Sequence, residues 1–218
     1  MFETIYLLIA LLGSSVAGII DLKTTNVPDP LIYSMIGSGI VLHLAESIYI
    51  DSFEPFLLSI EVGALMLIFG LLMYYMGQWG GADAGMLAAI GFLLPVAPVY
   101  TFFPFPLTYF INLTFIGAIY SVIYVIYLMR KPGIKRKGLD FYRKIPTSKL
   151  KVDDVIGEDI PKISIRKNLI RGLTEKEIKK IRKHKKYVIV REGIPYVIVF
   201  PIALIVTLYL GDLILLIV

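Results

Sequence analysis

Long apolar runs alternate with short polar joints along this chain until about residue 130, where charged and apolar positions intermix before one last apolar run. Six windows of roughly 20 residues carry almost no charge, the length that crosses about 30 Å of hydrocarbon at about 1.5 Å per residue. They lie at about 3–20, 31–50, 56–76, 84–103, 107–129 and 194–217, and each predicts a membrane-spanning helix. Within the intermixed region, "GLTEKEIKKIRKHKK" predicts a helix: Thr174 and Glu177 have capping-box spacing, and Lys and Arg fill the last turns. "KYVIVREG" (186–193) has the β-branched density of a strand, and "KLKVDDVIGEDI" predicts a strand and a turn. No internal repeat or low-complexity tract interrupts the pattern.

Composition agrees, since 57% of the 218 residues are hydrophobic, against about 45–50% in soluble domains. The chain contains no cysteine, which excludes disulfides, zinc ribbons, iron–sulfur clusters and thiol nucleophiles. Its two histidines, His43 and His184, fall in unrelated segments, so neither a metal site nor a cofactor is expected. The first apolar run contains the small residues "GSSVAG" but lacks a basic start: Lys23, the first positive charge, comes after it. A permanent span is expected there rather than a removable signal peptide.

Charge then orients the spans. Of the 22 Lys and Arg residues, all but Lys23 lie between Arg130 and Arg191. With six spans both regions face one side, which the positive-inside rule makes cytoplasmic. Both chain ends then lie outside, as does the acidic loop "AESIYIDSFEP" (45–55). The expected fold is an all-α polytopic membrane protein: six transmembrane helices, with a small α/β cytoplasmic domain between helices five and six. Its parts are 1–129 with helices one to five, 130–193 for the soluble domain, and 194–218 for helix six. Aromatics in "PVAPVYTFFPFP" (95–106) and at Tyr74, Tyr75 and Trp79 fit interfacial belts at opposite ends of the spans.

Two acids stand out in this frame. Asp21 ends span one and Asp83 opens span four, both at the cytoplasmic face. Either alone is explained as a helix-boundary residue, Asp83 as a first-turn acid complementing the helix dipole. As a pair at matching depth beside Gly80 and Gly81 they point to chemistry instead. Two carboxyl groups about 3 Å apart share one proton; one activates a water while the other hydrogen-bonds the scissile carbonyl. Gly80 and Gly81, lacking Cβ atoms, allow special backbone dihedrals and the close approach of an extended substrate.

"GGAD" (80–83), opening a span and followed by "GMLAAIG", resembles the G-x-G-D or G-x-hydrophobic-D signature of type IV prepilin peptidases. "DLKTTNVPD" (21–29) is similar to their first-aspartate segment. "GLTEKEIKKIRK", "VIVREGIPYVIVFPIAL" and "LYLGDLI" resemble the archaeal branch, the preflagellin peptidases. The resemblance implies an integral membrane aspartyl endopeptidase that removes class III signal peptides from preflagellin and prepilin precursors. Such substrates carry a short basic leader ahead of a hydrophobic helix and are cut at the junction on the cytoplasmic side. Asp21 and Asp83 would be the catalytic pair, and Gly80, Gly81, Ala82 and Asp29 the candidate substrate-binding positions, Asp29 by attracting the basic leader. Ala82 stands where the stricter motif has glycine, and Gly85 where many bacterial members have lysine. Without cysteine the chain also lacks the bacterial cysteine motif, so methylation of the new N-terminus is not expected. Presenilin-like proteases share the glycine–aspartate signature but pair it with Tyr-Asp, whereas Ile20 precedes Asp21 here, and they use about nine spans.

The remaining candidates are weighed as structural. Glu61 and Asp212 fall in the outer leaflet, away from the pair, and are expected to make polar contacts within the fold. Small residues such as Gly63, Ala64, Gly85 and Ala88 fit close helix packing. The basic region fits anionic lipid headgroups and solvation, not nucleic acid. "NLT" (112–114) matches a glycosylation triplet but lies in an apolar stretch. The alternative for the chain as a whole is an ion- or proton-coupled membrane transporter using the same two aspartates.

Overall fold

The computed structural model describes residues 2–97, 99, 101–138, 140–152, 154–161, 165 and 172–216. Positions 98 and 100 of the fourth expected span, Asp153 of the expected strand and turn, and position 217 of the sixth span lie outside the described residues. The helices among them are α1 (Phe2–Thr24), α2 (Asp29–Tyr49), α3 (Glu54–Tyr75), α4 (Gly81–Leu93), α5 (Phe105–Arg130), α6 (Glu175–His184) and α7 (Val199–Leu210). The chain forms two compact units, residues 1–121 with 195–218 and residues 122–194.

The protein is mostly helical, and four helices, α1, α2, α3 and α5, are long and apolar enough to cross a membrane. The fourth and sixth expected spans are shorter: α4 has 13 residues and α7 has 12. At about 1.5 Å per residue they reach roughly 20 Å, short of the hydrocarbon core. Proline and glycine explain the loss. Leu94 precedes Pro95, which drives it out of the helical region (φ −130°, ψ 62°) and stops α4. Gly211 closes α7 with φ 65°, and residues 213–216 continue only as a 3₁₀ turn. Both apolar windows had thus counted apolar loop as helix.

In the first unit α4 is the central element. Every residue from Met86 to Leu94 is buried, consistent with a helix that is apolar on all sides. Its neighbours α2 and α3 approach through glycines: a Cβ on Gly39 would stand 2.7 Å from the Phe92 carbonyl oxygen, and one on Gly70 2.8 Å from the Ala84 Cα. In lipid such close contact supplies the dispersion energy that water-driven burial supplies elsewhere. The last carbonyls of α4 are satisfied across the bundle, Phe92 by the Ser59 hydroxyl (2.7 Å) and Leu93 by His43 Nε2 (3.2 Å). Leu12, Val41 and Leu65 stay 63–64% exposed on the outer faces, where lipid would cover them.

Two residues that the sequence singled out take part in packing. Trp79 is partly buried, with its ring 5.9–6.2 Å from those of Phe110, Tyr196 and Phe200. Asn112 of the glycosylation triplet is fully buried, donating to Thr207 Oγ1 (3.0 Å) and the Gly211 carbonyl (2.7 Å).

The second unit holds a small antiparallel sheet of β1 (Ile134–Lys137), β2 (Asp140–Pro146), β3 (Val155–Ile156) and β4 (Tyr187–Glu192) in the order β1-β2-β4-β3. Ile145, Ile156, Val188 and Val190 from the sheet share a core with Ile178 and Ile181 of α6. The expected helix and strand are present as α6 and β4, and the Thr174–Glu177 capping box forms as the spacing required. The β1–β2 hairpin was not anticipated: its strands are rich in Lys and Arg, and only Gly138 (φ 66°) marks the turn.

Candidate active site

Asp21 lies in the last turn of α1 and Asp83 is the third residue of α4. α1 and α4 pack together, and the two carboxyl groups come within electrostatic range of each other. Both acids are buried, at 6% and 8% relative exposure. The structure thus buries, on two helices that pack together, the two aspartates that the sequence singled out as a pair.

Their settings differ. Asp83 sits at a helix N-terminus, where exposed N–H groups and the macrodipole favour negative charge. Its Oδ2 accepts the Gly80 N–H at 2.8 Å, closing the first turn of α4 on itself. Asp21 sits at the end of a helix, where the dipole opposes negative charge. Its compensation comes from elsewhere: the Val197 N–H donates to its Oδ2 at 2.9 Å. Val197 stands two residues before α7, so Asp21 faces the favourable end of that helix.

Among the described residues, each carboxyl receives one hydrogen bond, on Oδ2 in both cases. No described hydrogen bond reaches either Oδ1, the atom that a pair of acids sharing one proton would turn to a water or a substrate carbonyl.

The glycines act differently from expectation. Gly80 is extended (φ −80°, ψ 167°) and Gly81 opens the helix, so neither needs a backbone reserved for glycine. That requirement falls on Gly77, with φ 72°. Space is what Gly80 and Gly81 supply: a Cβ on Gly80 would lie 3.3 Å from Asp83 Oδ2, and one on Gly81 would meet nothing within 4 Å. Ala82 packs partly buried against the core. Asp29 is exposed in the first turn of α2, and no described hydrogen bond or ion pair ties it to either acid. Glu61 is exposed on α3, whereas Asp212 is buried past α7 in contacts of its own.

Sequence reasoning missed the entry to α7. Val197 contributes through its backbone, which no side-chain pattern reveals, and the Tyr196 phenol beside it lies within electrostatic range of Asp83. The only sequence signal was one polar aromatic in an apolar run.

Residues 6–124 match the model of the type IV leader peptidase family, a stretch that contains both Asp21 and Asp83. The chain belongs to that family. It is accordingly an aspartic peptidase and a multi-pass membrane protein, which sets aside the transporter reading. A preflagellin peptidase of Methanococcus voltae is 29% identical over 231 aligned positions, covering 94% of each chain. The prepilin peptidase EppA of Methanothermobacter thermautotrophicus is 27% identical over 142 positions, covering 59% of this chain and 37% of that protein. The membership implies cleavage of signal peptides from pilin-like precursors.

Proposed function

We propose that this member of the type IV leader peptidase family removes class III signal peptides from preflagellin or prepilin precursors at the cytoplasmic face of the membrane, with Asp21 and Asp83 as its catalytic pair. The observation that carries this reading is a pair of buried carboxyl groups on two packed helices, within electrostatic range of each other, each with one oxygen held by a backbone N–H. One carboxylate takes a proton from water as it attacks the scissile carbonyl; the other, protonated, donates to the carbonyl oxygen as charge develops. Asp29, Gly80, Gly81 and Ala82 form the approach for the substrate, the exposed Asp29 attracting a basic leader and the open space at Gly81 admitting an extended backbone.

The topology belongs to the same proposal. The short helices α4 and α7, together with the apolar segments that continue them, complete the six crossings, with both chain ends outside, residues 1–129 and 194–218 in the membrane, and the basic residues 130–193 forming a cytoplasmic domain. Its fold would be the small α/β arrangement expected from the sequence.

The test is cleavage of a preflagellin and a prepilin by the detergent-solubilised protein. Asp21→Asn and Asp83→Asn should each lower the rate by at least about 10³-fold, since neither acid can serve both roles. Full cleavage by either variant would remove the pair from the mechanism.

A further inference from the structure

The segment entering α7 hydrogen-bonds Asp21, and its anchorage lies elsewhere. Val197 gives its N–H to Asp21 Oδ2 (2.9 Å) and is almost completely buried. Beside it, the Tyr196 phenol faces Asp83 within electrostatic range, and its ring lies 5.9 Å from that of Trp79, the residue preceding Gly80. The Tyr196 hydroxyl is itself held on α5. It donates to the Leu113 carbonyl of α5 at 3.3 Å and occupies a notch where Gly117 lacks a side chain; a Cβ there would collide with the phenol oxygen. Tyr120, one turn further along α5, donates to the Pro195 carbonyl at 2.9 Å. On the opposite side, Gly18 of α1 leaves room for the Ile198 backbone, whose Cα would stand 2.8 Å from a Cβ at that position. The turn 195–198 is thus clamped between α5 and α1, and this clamp fixes the N–H that Asp21 accepts.

A carboxylate in the last turn of a helix needs such a donor, because its own helix dipole opposes its charge. A backbone N–H is useful there only if it cannot drift, since small displacements of a reacting group have large kinetic effects. We infer that Tyr196, seated in the Gly117 notch of α5, is a positioning residue of the acid pair: it fixes the turn whose Val197 N–H orients Asp21. The inference rests on the proposed catalytic role of Asp21 and Asp83.

The experiment measures steady-state cleavage of a preflagellin by the full-length, detergent-solubilised protein, with kcat and KM separated. Tyr196→Phe keeps the ring and removes the hydroxyl that bonds Leu113; kcat should fall about tenfold with KM within about twofold. Gly117→Ala, on a helix that supplies neither acid, should expel the phenol and lower kcat to a similar degree. In a Tyr196→Leu background Gly117→Ala should add little, because Gly117 acts through Tyr196. Thermal unfolding of each detergent complex reports any loss of fold. Unchanged kcat in Tyr196→Phe and Gly117→Ala would overturn the inference, as would a loss confined to KM or full additivity of the double variant. Asp21→Asn and Asp83→Asn in the same assay keep the two ideas apart. If both are inactive while the Tyr196 and Gly117 variants match the unaltered protein, only the positioning role falls; if either still cleaves, the acid pair itself falls.

Discussion

The two ends of α7 show how one helical bundle treats its acids in opposite ways. Beyond the C-terminal end, Asp212 has both oxygens filled: Oδ1 accepts the Thr108 hydroxyl and Oδ2 the Phe102 N–H, each at 2.6 Å. Asn112 adds bonds to Thr207, Gly211 and Leu213, so that the chain leaving α7 is tied to α5 at several points. Before the N-terminal end, Asp21 receives one donor and leaves an oxygen uncommitted, as does its neighbour Asp83. A fully satisfied carboxylate has nothing left to give to a substrate; it is an anchor. A half-satisfied pair stays oriented and still has acceptor capacity to spend on chemistry.

The comparison breaks most sharply under matched substitutions. Asp21→Asn and Asp83→Asn should remove at least about three orders of magnitude of cleavage rate while shifting the unfolding temperature little, because a half-used carboxylate contributes little to the fold. Asp212→Ala should do the reverse. It leaves the Phe102 N–H without its acceptor and the Thr108 hydroxyl with only the Phe103 carbonyl at 3.2 Å, at a cost of about 1–3 kcal/mol, with kcat per folded molecule unchanged. Thermal unfolding in detergent and cleavage kinetics on the same samples check both halves. A kcat loss in Asp212→Ala comparable to that of the Asp83 variant would dissolve the distinction.

How much of this the sequence held differs by element. Periodicity and charge located the acids, because a carboxylate at the edge of an apolar run is conspicuous and its energetic cost invites explanation. α6 and β4 were equally legible, since capping chemistry and β-branched density act locally. The lengths of α4 and α7 were not: hydropathy counts apolar residues, whereas Pro95 and Gly211 set where helix can exist. Least legible was the Val197 donor, 176 residues from Asp21 in the chain and made of backbone alone.

The start of α1 offers a milder version of the anchored end. Tyr6 is 15 positions before Asp21 on the same helix, about 22 Å away by helical rise. Its hydroxyl donates to Glu46 Oε2 at 2.7 Å while its ring stacks on His43 at 4.0 Å. Tyr6→Phe keeps the stack and deletes one hydrogen bond, so stability should fall by about 1 kcal/mol with cleavage unaffected. A kinetic defect in this variant would show that the anchored end is coupled to the acid pair through α1, and the two regions would no longer be separable.

The smallest expected effect concerns an acid in the second unit, Asp154. Burial pushes its carboxyl above the usual carboxylate range, and the Lys151 N–H, donating to Oδ2 at 2.7 Å, pulls partly the other way. A folded-state value above the unfolded one means that the fold binds the proton more tightly. This contribution to stability is fully present below the unfolded value and is lost as pH rises through the folded one. Amide exchange at Ile156 and Val190, paired across β3 and β4, should therefore be slightly slower, after correction for intrinsic rates, at mildly acidic pH than at neutrality. Asp154→Asn keeps an oxygen for the Lys151 N–H but cannot ionise, so it should flatten that dependence without changing cleavage. An unaltered pH slope in the variant would assign the effect to another group and leave Asp154 on the anchored side of the comparison, with Asp212.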